Sequence, residues 1–121
     1  MVRYGRLRKR RDLDRVFQHG RWLRSGPVSI GLAARDDGEE ARVAFAAGRN
    51  LGTAVRRNRS RRRLREALRT AALTLAPGHD IVLLARPTTA DVPFAKLQSA
   101  VCDALVRLGV AELAPEREST Q

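Results

Sequence analysis

The chain has 121 residues, 43% of them hydrophobic, which suits one domain with a modest core. No apolar run approaches the roughly 20 residues of a membrane span, no apolar leader opens the chain, and the single Cys102 cannot close an internal disulfide. The expected setting is therefore a reducing cytoplasm, and the net charge of +11 sits in two blocks: +7 over residues 1–25 and +8 over 49–69, with −4 elsewhere. Such asymmetry points to a polyanionic partner rather than to a membrane or an acidic small substrate.

Residues 1–11 (MVRYGRLRKRR) are basic and patternless and read as a flexible arm. Asp12 is placed to cap a short helix over 13–19, whose apolar face is Leu13, Val16 and Phe17, and Gly20 can end it in the left-handed conformation. Pro27–Ala34 alternates as a strand with Val28, Ile30 and Leu32 on one face. An acidic turn (Asp36, Asp37, Glu39, Glu40) leads to a strand over 41–47, and the two strands read as an antiparallel hairpin. Thr53 can cap a long helix from 54 to about 75, ended by Pro77-Gly78. Ile81–Ala85 (IVLLA) has the length and continuous apolarity of a central strand buried on both faces. Residues 87–93 read as a loop, and 94–109 as a helix with Phe94, Leu97, Val101, Ala104, Leu105 and Leu108 on one stripe. The whole reads as an α+β fold, a small sandwich of helices on a mixed sheet, with one domain over 12–110 and a polar tail over 111–121.

The long helix carries the functional signal. Leu64, Ala67, Leu68, Ala71 and Leu75 give its second half an apolar stripe, but that stripe runs back onto Ser60, Arg61 and Arg57. Arginine meets arginine at i, i+4 for 57/61, 59/63, 61/65 and 65/69, each pair costing about 0.2–0.5 kcal/mol in an isolated helix. Cations near the helix N-terminus also oppose the macrodipole. Phosphates laid against the helix would reverse both penalties, because guanidinium groups bind phosphate bidentately. Asn58 can donate and accept beside them. A solvated charged face would mix signs, whereas Glu66 is alone among eight arginines. A helix-turn-helix would need a short helix just before this one, and Gly48-Arg49-Asn50-Leu51-Gly52 follows a strand instead.

These residues resemble a known family. Ala54-Val55-x-Arg57-Asn58-Arg59-x-Arg61-Arg62-x-x-Arg65-Glu66 is similar to the arginine-asparagine-arginine signature of the bacterial ribonuclease P protein subunit. Arg6-Leu7-x-Lys9, Asp12, Val16-Phe17-x-His19-Gly20, Arg42-Val43, Leu51-Gly52-x-Ala54-Val55, Asp80-Ile81-Val82 and Ala85-Arg86 match its other segments in order, over about residues 6–109. The resemblance implies a left-handed βαβ crossover around the long helix, against the usual handedness rule. It implies two partners, the catalytic RNA of ribonuclease P and precursor tRNA, and no membrane. The RNA would hold the active site and the magnesium of the holoenzyme, and the protein alone would bind no cofactor. Arg49, Arg56, Arg57, Asn58, Arg59, Arg61, Arg62 and Arg65 would bind RNA. A cleft between the first helix and the sheet would hold the 5′ leader of precursor tRNA, lined by Leu13, Phe17, Val28 and Ile30, although Val28 and Ile30 read equally as core.

Four positions depart from the family. Leu13 and Gly31 stand where aromatic side chains are common, and Trp22 is near but aligns with neither, so weaker stacking on the leader is expected unless Trp22 swings in. Arg49-Asn50 replaces a usual lysine pair. The remaining acids and the two histidines show no converging catalytic or zinc spacing. Two other readings remain: a ribosomal or other structural RNA-binding protein, and a stand-alone nuclease.

Overall fold

The computed structural model describes residues 2–114. Its elements are β1 (Gly5–Arg6), α1 (Arg10–His19), β2 (Arg21–Ser25), β3 (Val28–Ala34), β4 (Arg42–Ala46), α2 (Ala54–Arg69), β5 (Leu73–Leu75), β6 (His79–Ala85), α3 (Phe94–Arg107) and β7 (Ala111–Leu113). Five strands make one mixed sheet in the order β1-β4-β6-β3-β2, and β5 and β7 pair as a separate antiparallel ribbon. Helices α2 and α3 pack on one face, where Leu64, Leu68, Leu97, Val101 and Leu105 meet Val28, Ile30, Val43, Ile81 and Leu83. Helix α1 packs on the other, its Val16 against Ala33 and Val82. The fold is thus α+β, with helices on both faces of a mixed sheet.

Strand β6 lies at the centre and is buried on both faces, as its unbroken apolar run requires. That run also corrects the expected hairpin. β6 inserts between β3 and β4, antiparallel to the first and parallel to the second, so the two do not pair. Period-2 alternation identifies strands but not their neighbours. The true hairpin is β2–β3, turned at Gly26 with φ of 55°. β2 gave no alternating signal because Trp22 and Leu23 are consecutive and serve opposite faces: Trp22 joins the α1 side and Leu23 the α2/α3 side.

The N-terminal segment is not a free arm. Gly5 donates to Ala41 O (2.7 Å) and Leu7 to Val43 O (3.0 Å), making β1 a parallel edge strand, and Val2 and Leu7 are buried. Helix α1 starts at Arg10, with Lys9 at the N-cap and no side-chain cap. Asp12 lies inside its first turn, 3.4 Å from Arg42, where its charge still suits the helix dipole. Gly20 is extended (φ −75°) rather than left-handed. It is needed for space: a Cβ there would lie 2.4 Å from Val16 O and 2.8 Å from Leu32 O.

Helix α2 ends at Arg69, short of the expected 75. The Thr70 hydroxyl donates to Glu66 O (2.8 Å), closing the last turn, and Leu73 and Leu75 turn inward from β5 with Thr74 between them facing solvent. Residues 111–113, read as tail, form β7 and cover the end of α3; the tail beyond 114 lies outside the described residues.

Among the described residues, one carboxylate is buried in this frame. Asp80, on β6, is fully buried and accepts from Arg42 (Nε 2.7 Å, Nη2 2.8 Å) and Arg35 (Nη1 2.8 Å), with Arg15 of α1 at 3.5 Å. Arg35 also donates to the carbonyls of His79, Glu39 and Glu40 and pairs with Asp37, so it folds the acidic turn around itself.

Candidate nucleic-acid interface

Helix α2 begins as its sequence implies. Thr53 Oγ1 accepts from the Arg56 amide (3.2 Å), and Gly52, at φ of 104°, makes the sharp entry that buries Leu51. Ser60, Leu64, Ala67 and Leu68 face the core, so the helix is held by its second half. Its first half projects: Val55 is 78% exposed. This leaves the arginines on two faces with different duties.

Arg56, Arg59 and Arg63 recur at i, i+3 and i+7 and face the loop after β6. Arg56 pairs with Asp91 (2.5 Å) and donates to Pro87 O (3.1 Å). Arg59 Nε donates to Ala90 O (2.9 Å). Arg63 donates to Thr89 O (2.6 Å) and Val92 O (2.5 Å). The loop itself is pinned by the buried Thr89, whose hydroxyl accepts from the Arg86 amide (2.7 Å) and donates to Pro27 O (2.5 Å). The hydrogen bond from Arg56 holds the Asp91 carboxyl below its ordinary range. Part of the like-charge cost along α2 is therefore offset inside the protein. The stripe spacing was the available signal for this clamp, and composition alone hid it.

Arg57, Asn58, Arg61, Arg62 and Arg65 occupy the other polar face. Arg57 donates back to Gly52 O (2.7 Å), Arg61 donates to Asn58 Oδ1, and Arg65 stacks 5.3 Å from the Phe45 ring centroid. Arg62, and Arg49 in the turn before the helix, have no hydrogen-bond or ion-pair partner among the described residues. Among the described residues no acid pairs with any of these six side chains, whereas the clamp face has Asp91. The outer face is therefore a cationic strip with open bonding capacity. Replacing Arg63 by glutamine should remove two carbonyl bonds and lower stability by about 1.5–3 kcal/mol in urea unfolding. Unchanged urea stability would mean that Arg63 does not hold the loop.

On the opposite face of the sheet, α1 borders an open floor. Leu13 is half-buried and Phe17 is 46% exposed along its edge. Cross-strand registers place two rows on this face, Trp22–Gly31–Val82–Ala44, in which Val82 is fully buried against Val16 of α1, and Arg24–Ser29–Leu84–Ala46. Val28 and Ile30 do not belong to it. Both are fully buried on the α2/α3 side, because side chains on β3 alternate and Ser29, Gly31 and Ala33 take the α1 side. Of the four expected cleft residues, the structure keeps Leu13 and Phe17 together and assigns the other two to the core. Among the described residues no three His, Cys, Asp or Glu side chains are grouped to hold a metal ion, and no helix is long and apolar enough to cross a membrane.

Comparison with known proteins agrees with this geometry. A family model described as Ribonuclease P matches residues 1–109. A ribonuclease P protein component from Symbiobacterium thermophilum is 37% identical over 107 residues, covering 88% of this chain and 93% of that one. One from Roseiflexus castenholzii is 40% identical over 113 residues, covering 93% and 92%. Among solved structures, the RNase P protein from Thermotoga maritima superposes with a TM-score of 0.71 at 27% identity, covering 85% of this chain and 96% of that one. The Staphylococcus aureus RNase P protein shares the fold at a TM-score of 0.71 and 21% identity, covering 89% and 98%. The chain belongs to the ribonuclease P protein component family, the protein part of a ribonucleoprotein endonuclease of tRNA processing.

Proposed function

We propose that this chain binds the catalytic RNA of ribonuclease P along the outer face of α2 and holds the 5′ leader of precursor tRNA over the α1 side of the sheet. In this way it assists removal of the leader to form the mature 5′ end, in the cytoplasm. The observation that carries the reading is the division of α2 into a clamp face satisfied by the 87–92 loop and an outer face of Arg57, Asn58, Arg61, Arg62 and Arg65 that forms no ion pair with an acid among the described residues. Unpaired guanidinium groups in register along a rod suit successive phosphates, and bidentate geometry fixes the rod's orientation on them. Arg49 extends the strip at its N-terminal end, and Arg56 and Arg59 join through the guanidinium nitrogens their loop bonds leave free.

The bond-breaking step belongs to the RNA in this reading. Magnesium, required by the holoenzyme, would be held by the RNA and would supply charge stabilisation for phosphodiester hydrolysis. The protein's side chains position: arginines of α2 fix the RNA, and the floor beside α1 fixes the leader.

The test is cleavage of precursor tRNA with magnesium, with and without the RNA subunit. The RNA alone should cut poorly at low magnesium and be strongly stimulated by the protein, and the protein alone should not cut. Cleavage by the protein alone would favour a stand-alone nuclease. Absence of stimulation would favour a structural RNA-binding protein.

A further inference from the structure

We infer that Trp22 is the base-stacking residue of the leader site, delivered from β2 over Gly31, and that Arg24 and Arg86 hold the flanking phosphates; this rests on the leader reading above. The indole lies against the backbone of its cross-strand partner. A Cβ built on Gly31 would fall 2.3 Å from the Trp22 ring, so the ring fills the space a side chain at 31 would take. Trp22 Nε1 donates to Val16 O (3.1 Å), which fixes the ring against α1. Phe17 meets it with centroids 5.2 Å apart and planes at 32°, and the two rings border the open floor together. An aromatic surface is therefore present at the α1 edge although neither Leu13 nor Gly31 supplies it.

The occupant follows from the charges around the rings. Arg24 shares the face of β2 with Trp22, one pleat along, and has no partner among the described residues. Arg86 continues the same face of β6 beyond Leu84, and its Nε is buried without an acceptor. Two nearby arginines are committed elsewhere: Arg15 to Ala34 O and Asp80, and Arg42 to Asp80. Two stacked rings flanked by two uncommitted guanidinium groups fit unpaired nucleotides, bases on the rings and phosphates on the arginines. Because the indole N–H is spent on Val16 O, the rings offer no donor to a base edge. The surface should rank bases by stacking area alone, with purines ahead of pyrimidines by a few-fold.

Trp22 is the only tryptophan of the chain, so it reports on itself. In the assembled holoenzyme, precursor tRNA should quench its emission and mature tRNA should not. Equal responses to the two would overturn the assignment. Trp22→Leu should lower the affinity ratio of precursor over mature tRNA about tenfold, and adding Gly31→Phe should restore most of it by returning a ring from the adjacent strand. An unchanged ratio in Trp22→Leu would remove Trp22 from the site while leaving the leader reading intact. The unaltered holoenzyme showing no preference for precursor over mature tRNA would overturn that reading, and this inference with it. The quenching measurement uses the native chain and stands whether or not a variant folds.

Discussion

Replacing Arg57, Arg61 and Arg62 together by glutamine is expected to weaken binding to the ribonuclease P RNA on the order of a thousandfold at low salt. Each charge-assisted bond to phosphate contributes about 1.5 kcal/mol, and about 1.4 kcal/mol is a factor of ten. The three are chosen because their loss leaves the protein's own structure nearly untouched. Arg62 has no protein partner among the described residues, and Arg57 and Arg61 bond only to Gly52 O and Asn58 on their own helix and its lead-in. The salt dependence is the sharper signature. If about six phosphates are engaged, affinity of the unaltered chain should fall on the order of a thousandfold between about 50 and 200 mM salt. Removing three contacts should reduce the log–log slope by about 2–3, since each neutralised phosphate contributes about 0.7–0.9. An unchanged slope in the triple variant would mean that the outer face of α2 is not where the RNA lies.

The sequence made this face legible only in part. Clustering of charge, the missing apolar stripe before Ser60 and the family signature located the helix and its partner. They did not divide the arginines, because Arg59 and Arg62 look alike until the loop carbonyls at 87–92 are in place. The division depends on Thr89, a lone residue whose hydroxyl accepts from Arg86 and donates to Pro27, 62 positions from Thr89 in sequence. The same kind of limit applied to the sheet. IVLLA announced a central strand, yet nothing local said that it would separate β3 from β4. Val28 and Ile30 could not be assigned to core or cleft, because alternation gives two faces without naming which one the long helices cover. Trp22 was visible as a residue without an aligned role; only its register opposite Gly31 gives it one.

Asp80→Asn is the second substitution with a large expected effect, and it acts on the frame rather than on the RNA. The carboxylate receives two bonds from Arg42 and one from Arg35, with Arg15 at 3.5 Å, so it joins α1, β3, β4 and β6 around one buried charge. Loss of that charge leaves Arg35, whose side chain is only 8% exposed, and Arg42 side by side, balanced only by the more exposed Asp37 and Asp12. Breaking a buried pair in this way costs about 3–5 kcal/mol, a large share of a stability of about 5–15 kcal/mol. Burial alone would push the Asp80 carboxyl up, but the hydrogen bonds from Arg42 and Arg35 outweigh it and hold its pKa below the ordinary value. A depressed folded-state pKa means that the stabilisation is complete above the unfolded value of about 3.9 and is lost as pH falls through the lower folded one. Urea midpoints of the unaltered chain should therefore drop on acidification below about pH 4, while those of Asp80→Asn drop less, so the gap between them narrows. Glu66 and Asp91, whose pKa values are lowered by arginines that do not touch Asp80, remain in both chains and cancel from the difference. Two curves running parallel from pH 7 to pH 3 would show that the buried carboxylate contributes no charge to the folded state. Because α2 and its outer arginines lie on the far side of the sheet from Arg15 and α1, the variant should keep its affinity for the RNA subunit at temperatures where it remains folded.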